Sequence, residues 1–597
     1  MPDDQISIAP LMGESAQRVV DRVTKLDDLS RRLVKVAARG TSANPALNIP
    51  DPEIFQQAAF SYWSKAVHNP IEAVMQQIAF WSATAQNVLD SQSLFGSEID
   101  EHSSADRRFA NPLWDSNTVF HLIKEQYLLN ASTLQNVVKD AETLDPKDRQ
   151  RLAYFVEQIV NLMAPNNFIG VNPDAFFAAL DSEGDSLISG LANLVQDLEA
   201  NDGDLVVRLA DETAFEIGEN IATTPGEVVY RNRIMELIQY HPTTAQVRET
   251  PIVLFPPWIN KFYILDLKEK NSLIKYITDQ GYTLFVVSWF NPTRDDADVG
   301  LEDYIEDGYL TAIQKAKEIC NVPQINAVGY CIAGTTLSLT LSLLKQRGDT
   351  SVNSATFFTT LTDFSDQGEF TPFLQEDFID NIEDEVTERG VLSAHIMGRT
   401  FSFLRSNDLV YGPAIRNYYL GETPPAFDLL YWNGDGTNLP AKMVVQYLRK
   451  ICQSNEFAQT GIDLLGHTLK LGDVDLPLMS IACEADHIAR WKDCYRGVQK
   501  MGSGNKSFIV SESGHIAGIV NPPSKKKYGH YSNADISQNA EAWLENAQFT
   551  EGSWWPTWEN WVRGKSGPLV SARNPENSLG SAPGTYILKQ KNAASQQ

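Results

Sequence analysis

From about residue 225 the chain alternates short β-branched and aromatic runs with helical spans, and this alternation limits the fold more than any other feature. The runs cover 250–255, 283–290, 324–330, 354–361, 478–483 and 506–510. Strands separated by helices join in parallel, because a parallel connection needs a crossover, so the fold class is α/β with a mostly parallel sheet. Just upstream, "EVVYRNRIMELIQY" (227–240) alternates like an antiparallel pair. Between the fourth and fifth runs the alternation stops for more than a hundred residues. That stretch (362–477) is aromatic-rich and helical in pattern, as in "GVLSAHIMGRTFSFLRSNDLV" (390–410), and reads as a cap or lid over the strand ends.

Ahead of the sheet region, residues 1–205 read as a helical N-terminal domain, leaving 206–597 for the sheet-bearing domain. "NPIEAVMQQIAFWSATAQNVL" (69–89) places Ile71, Val74, Met75, Ile78 and Trp81 on one helical face. "DPKDRQRLAYFVEQIVNLM" (145–163) opens with Asp145 as N-cap and Pro146 at the first helical position, and a further helix follows "NPDAFFAAL". These stripes carry no chemistry of their own. Near the end, "SWWPTWENW" (553–561) holds four tryptophans, best read as core. The Gly-, Pro-, Ser- and Asn-rich tail from Ser566 closes on "NAASQQ", which reads as frayed.

A chain of 597 residues exceeds one core, and 43% hydrophobic residues exclude a disordered chain. Its net charge of −27 argues against nucleic acid as a partner, and any anionic substrate must meet a local cluster of Lys or Arg. Five scattered cysteines imply a reducing compartment rather than a disulfide framework. The acidic start "MPDDQISIAP" has no secretory pattern, and no apolar run reaches the roughly 18 residues of a spanning helix.

One of those cysteines stands apart. In "NAVGYCIAGTT" (326–336) an apolar run meets Gly329, Cys331 and Gly334 before a helical span. A strand that ends in Gly-x-nucleophile-x-Gly and enters a helix forms a nucleophile elbow, the hallmark of the α/β-hydrolase fold. The turn needs small neighbours, and Ala333 stands where the second glycine would be. By itself the string leaves an inert packed thiol and a nucleophile equally open. Chain order then points to catalysis, because this fold takes its acid and then its histidine after the nucleophile. "LMSIACEADHIARW" (478–491) carries Asp486 just past a strand, and "FIVSESGHIAGIV" (508–520) carries His515 past the next. Asp363, in "TLTDFSD", also follows a strand and competes for the acid role, while His487 shapes the site. The backbone N–H of Ile332 would be one oxyanion donor. A second would come from Trp258 or a near neighbour in "VLFPPWINKFYILDL" (253–267), whose prolines remove two other donors. Cys320, Cys452, Cys483 and Cys494 read as structural. No phosphate loop, Rossmann fingerprint or metal-ligand cluster is present, so the expected chemistry is covalent and free of cofactors.

Many long segments, in order, resemble the polyhydroxyalkanoate synthases, and among them the class I, single-subunit enzymes. They include "DRRFANPLWDSN" (106–117), "PPWINKFYILDL" (256–267), "VVSWFNPT" (286–293), "EDYIEDG" (302–308), "GYCIAGT" (329–335), "LTDFSDQGEF" (361–370), "PPAFDLLYWNGDGTNLP" (424–440), "ADHIARW" (485–491) and "GHIAGIVNPP" (514–523). Trp258 stands where the family loop usually has cysteine, and Ala333 where it has glycine. The resemblance implies an acyltransferase that polymerises (R)-3-hydroxyacyl-CoA, with short monomers such as 3-hydroxybutyryl-CoA, and releases CoA. It further implies Cys331 as acyl acceptor, His515 as general base and Asp486 as acid. A homodimer at the surface of cytoplasmic polyester granules, among granule-associated proteins, completes the expectation. The alternatives are a thioesterase or polyester depolymerase of the same fold, and a granule-coating protein without catalysis.

Overall fold

A computed structural model describes residues 14–37, 82–84, 86–87, 106–141, 144–201, 203–366 and 368–588. The run at 227–240 is the hairpin β1 (Gly226–Arg231) and β2 (Met235–Tyr240), which pair antiparallel. The six runs that follow are β3 (Ile252–Phe255), β4 (Leu284–Trp289), β5 (Ile325–Tyr330), β6 (Val352–Phe358), β7 (Leu478–Cys483) and β8 (Lys506–Ser511). Two short strands, β9 (His530–Asn533) and β10 (Gln548–Thr550), complete a ten-stranded sheet in the order β1-β2-β4-β3-β5-β6-β7-β8-β9-β10. Its six central strands run parallel. Every residue of β2, β3, β4, β5 and β7 is buried, as a sheet covered on both faces requires.

The run at 354–361 overreaches its strand by three residues. Thr359 takes φ 41°, which a β-branched residue adopts only under constraint, and β6 stops at Phe358. The Thr359 N–H still donates to the Ile481 carbonyl at 2.7 Å, so the chain leaves the sheet without an orphaned donor.

Helices α1 (Leu273–Asp279), α2 (Thr311–Cys320), α3 (Ile332–Gln346), α4 (Glu376–Arg389), α5 (Trp491–Lys500) and α6 (Trp555–Arg563) connect or flank the strands. Ser272 caps α1 by accepting from the Lys275 N–H, and Asn321 ends α2 in the left-handed region. Beyond β6 the 362–477 stretch forms helices and helical turns with a small hairpin, Ile462–Leu464 against His467–Leu469. In α6, Trp555 and Trp558 are buried, as is Trp554 just before it. The tail is more ordered than its composition suggests. Leu569–Ser571 pairs with Gln246–Arg248, and the buried Glu236 carboxylate accepts from the Thr585 and Tyr586 N–H groups at 2.9 and 3.0 Å. "NAASQQ" lies outside the described residues.

Two compact units are present, one holding the described residues up to Asp211 together with Arg399–Pro425, the other Glu212–Gly398 with Ala426 onward. A piece of the 362–477 stretch thus belongs with the helical unit. That unit contains Glu14–Ala37, Thr118–Lys139, Pro146–Leu162, Pro173–Asp181 and Asp185–Ala200. Asp145 caps the third by accepting from Lys147 N–H at 2.9 Å, with Pro146 in its first turn. Arg22 and Arg32 of the first helix pair with Asp185 and Glu199 of the last at 2.7 Å each. The helix at 69–89 lies mostly outside the described residues; only 82–84 and 86–87 are described there, and they are helical. No helix among the described residues is long and apolar enough to cross a membrane.

Candidate active site

Cys331 sits between the end of β5 and the start of α3 at φ 54°, ψ −126°. Only the surrounding structure holds a non-glycine residue there, and such strain gathers at functional sites. Two hydrogen bonds set the turn: Cys331 N–H to the Phe358 carbonyl at 2.7 Å, and Gly334 N–H to the Cys331 carbonyl at 2.9 Å. The flanking glycines are steric necessities. A Cβ on Gly329 would lie 2.7 Å from the Gly334 Cα, and one on Gly334 would overlap the Thr360 hydroxyl. At Ala333 a methyl is accepted, fully buried in the first turn of α3, and the Ala333 carbonyl receives the Tyr309 hydroxyl at 2.8 Å. Cys331 itself is part-exposed, at the N-terminus of a fifteen-residue helix whose partial positive charge favours a thiolate and an oxyanion.

Asp486 lies in the turn after β7, and its Oδ1 accepts from the N–H groups of Ile488 and Ala489 at 2.8 and 2.9 Å. Its Oδ2 is 2.6 Å from His515 Nδ1. With Nδ1 engaged, Nε2 is the ring nitrogen left to serve Cys331, whose sulfur lies near enough to act on the charge of the imidazole. Burial works against a charged ring, but the Asp486 carboxylate and the Cys331 sulfur outweigh it and hold the His515 pKa well above its ordinary value. The Tyr330 ring stacks on the imidazole, centroids 5.9 Å apart and planes 25° apart. Below the His515 loop, Trp554 and Trp555 donate from Nε1 to the Gly518 and Ile519 carbonyls at 2.8 and 2.9 Å. The loop also packs on the preceding strand, since a Cβ on Gly518 would lie 2.5 Å from Cys483 Sγ.

Asp363 goes elsewhere. Its buried carboxylate pairs with Arg496 at 3.0 Å and Lys500 at 2.7 Å, both on α5, and accepts from Asn455 at 2.8 Å. Burial pushes its pKa up, and these partners more than reverse that, bringing it down to about 2. Of the two aspartates, the structure brings Asp486 to His515 and keeps Asp363 in an ion-pair cluster. The Trp258 side chain is buried, donating from Nε1 to the Thr336 hydroxyl at 3.2 Å, with its ring edge-on to Tyr447 at 5.4 Å. Among the described residues, no acceptor takes the backbone N–H of either Trp258 or Ile332. Cys320, Cys452, Cys483 and Cys494 are all buried, and burial raises each of their pKa values. Cys331 is thus the one cysteine of the five that is not buried.

Residues 105–277 match the family model described as the N-terminus of poly-beta-hydroxybutyrate polymerase, and residues 250–522 match the alpha/beta hydrolase fold. A poly(3-hydroxyalkanoate) polymerase of Methylorubrum extorquens is 37% identical over 94% of this chain and 90% of its own. The chain belongs to the poly(3-hydroxyalkanoate) polymerase family. Two further members, the polymerase subunits of Rhizobium meliloti and Cupriavidus necator, are 36% and 38% identical, covering 88% and 81% of this chain and 87% and 83% of theirs. It is therefore an enzyme of the α/β-hydrolase fold with an acyltransferase's ancestry.

For a member of this family two aromatic residues escape a reading by motif. Tyr330 lies within the elbow string yet gives no sequence sign that its ring covers His515. Tyr447, from the 362–477 stretch, is close enough to Cys331 that a thiolate there would raise the phenol's pKa further, above what burial already does. Its position 116 residues beyond the elbow leaves no local pattern to find it by.

Proposed function

We propose that this polymerase-family enzyme links (R)-3-hydroxyacyl groups, chiefly 3-hydroxybutyryl, into a polyester through an acyl-cysteine at Cys331. The observation that carries the reading is a single line of groups. A part-exposed thiol at strained backbone and a helix N-terminus meets an imidazole whose other nitrogen is held by a buried carboxylate. His515 takes the Cys331 proton, and the thiolate attacks the thioester carbonyl. The carbonyl oxygen gathers charge facing the N–H groups of Ile332 and Trp258, which no acceptor among the described residues occupies. The C–S bond to CoA breaks, and the CoA thiolate takes the proton from His515. One thioester has replaced another, so little free energy is lost and the acyl group stays activated.

Chain growth needs an ester in place of the acyl-cysteine. His515, its ring oriented by Asp486, removes the proton of an incoming 3-hydroxyl, whose oxygen attacks the acyl-Cys331 carbonyl and expels the thiolate. Water competes for the same carbonyl, and the packed rings of Trp258 and Tyr447 supply an apolar surround that disfavours it. The homodimer and the granule surface belong to this reading through the family alone.

Incubation with (R)-3-hydroxybutyryl-CoA tests it. Insoluble polyester should form with stoichiometric CoA, and Cys331→Ala should abolish both. Free 3-hydroxybutyrate without polymer would instead make the chain a thioesterase, and CoA release undiminished in Cys331→Ala would remove the nucleophile.

A further inference from the structure

We propose that Tyr309 is a positioning residue for the oxyanion hole, its phenol fixing the N–H of Ile332 against the N–H of Trp258. The inference rests on the acyl-cysteine reading above and adds how the two donors are kept at one spacing. They come from different arms of the chain. β3 ends at Phe255 and runs into the loop that carries Trp258, while its neighbour β5 runs into the elbow. Phe255 stands opposite Gly329 in that parallel pair, and beyond them no strand pairing joins the two arms.

Tyr309 touches both. Its hydroxyl donates to the Ala333 carbonyl at 2.8 Å, one residue past Ile332. Its ring stacks on Phe255, centroids 4.2 Å apart and planes 15° apart, three residues before Trp258. Trp289, the last residue of β4, reinforces the second arm. Its ring lies 5.6 Å from that of Tyr309, and its Nε1 donates to the Pro256 carbonyl at 2.8 Å. Trp258 Nε1 in turn ties the loop to α3 through the Thr336 hydroxyl at 3.2 Å. Phe255, Trp258, Trp289 and Tyr309 are all buried, so these bonds form away from water. Burial also raises the Tyr309 pKa, so the phenol keeps its proton and stays a donor.

The backbone that presents Tyr309 is unusual. Tyr304–Leu310 is a π-helical turn between the short helix Leu301–Asp303 and α2. In an α-helix, residues five apart point about 140° away from each other. The i→i+5 bonding of a π turn brings them to one side, and such turns are rare and gather at functional sites. Tyr304 and Tyr309 accordingly both meet the Trp289 ring, at 5.3 and 5.6 Å. Gly308 leaves room for that ring, since a Cβ there would lie 2.7 Å from Trp289 Cζ3. The Ala333 carbonyl lies inside α3, where the helix supplies an N–H partner of its own. What the phenol adds is therefore orientation of the first turn, not a missing bond.

First-turnover CoA release from (R)-3-hydroxybutyryl-CoA, set beside alkylation of Cys331 by iodoacetamide, tests the assignment. Both reactions use the thiolate, but only the first gathers charge on a carbonyl oxygen. Tyr309→Phe keeps the stacked ring and loses the hydroxyl. Its kcat and first-turnover rate should fall about 10- to 100-fold with KM held within about twofold, because the donors serve the transition state. Alkylation, followed on the Cys331 peptide, should keep the wild-type rate and pH profile. Trp289→Phe, which releases the Pro256 carbonyl on the other arm, should show the same split. Tyr304→Phe removes a hydroxyl with no partner among the described residues and should cost less than Tyr309→Phe. An undiminished first turnover in Tyr309→Phe would overturn the proposal. So would a parallel loss of alkylation, which would make Tyr309 a support of the whole elbow, or an equal loss in Tyr304→Phe. Free acid in place of polymer from the wild type would overturn the polyester reading alone, since a thioesterase releases CoA through the same oxyanion and the variants would still decide on Tyr309.

Discussion

Cys331 keeps its φ of 54° only because each neighbour yields to it. Such a conformation costs about 1–3 kcal/mol, which the packing of β5 on α3 must offset. Gly334 bears most of that burden, since any side chain there meets Thr360. Gly334→Ala should therefore destabilise the enzyme by about 1–3 kcal/mol, read as a lower denaturant midpoint. It should also cut acyl-enzyme formation by more than the same change at an exposed position such as Gly504, where nothing crowds a Cβ. Ala333 follows a different rule: it lies inside α3, so the methyl in place of the family's glycine fills space without straining the turn. Asp486 is tested by charge. His515 has a folded pKa raised above its unfolded value of about 6.5, so the stability it contributes is fully present below that value and is lost as the pH rises through the folded pKa. Asp486→Asn removes the main attraction. The melting-temperature gap between wild type and Asp486→Asn should thus be widest near about pH 6 and shrink toward alkaline pH. Turnover of the variant should fall on the order of 10²–10⁴-fold, as when an imidazole loses its orienting carboxylate. A gap that instead widened with rising pH would mean that the carboxylate does not stabilise a charged ring.

At the scale of elements, the sheet was legible because a strand buried on both faces must be apolar throughout, as β3, β4, β5 and β7 are. Where the backbone rather than burial ends a strand, the pattern runs on, which is why 359–361 looked like a continuation of β6. The elbow and the order of Cys331, Asp486 and His515 were legible for the same reason, since each follows a recognisable strand. The choice between Asp486 and Asp363 was not, because both follow strands and the deciding partners of Asp363 lie 133 and 137 residues away on α5. Three of the four tryptophans read as core are buried and Trp561 is part-exposed, but their role emerges only from contacts: Trp554 and Trp555 hold up the His515 loop, and Trp558 Nε1 donates to Thr356 of β6 at 3.0 Å. Trp558→Ala should cost about 3–5 kcal/mol, a core truncation made worse by the orphaned hydroxyl. Trp554→Phe keeps an aromatic ring but loses the bond to Gly518 and part of the indole's buried volume, so its stability loss should be about 1–3 kcal/mol. Its effect on turnover should be the larger one, checked by comparing chemical denaturation with CoA release.

For the whole molecule the decisive quantity is the excess of 76 acidic over 49 basic residues. The ion pairs that matter to the site are short and shielded: Asp486 with His515, and Asp363 with Arg496 and Lys500, keep their carboxylates largely out of solvent. Salt screens such pairs little, whereas it strongly screens the diffuse repulsion among exposed carboxylates. At about 0.01 M ionic strength the screening length is about 30 Å and the repulsion spans much of a domain; at 0.15 M it is about 8 Å and only near neighbours feel it. Exposed pairs such as Lys345 with Asp475 work in the opposite sense, but each is worth only about 0–1 kcal/mol, against a net excess of 27 negative charges. Self-repulsion should win. The melting temperature at pH 7 should accordingly rise as sodium chloride is added from about 0.01 to 0.15 M, and then level off, measured by calorimetry. Mild acidification toward the isoelectric point of 4.7 should blunt the rise by removing the excess charge itself. Asp363, with its pKa near 2, stays ionised throughout that range, so the cluster on α5 is intact while the surface is discharged. A melting temperature that fell steadily with salt would show instead that surface ion pairs, and not the net charge, dominate the electrostatics of this chain.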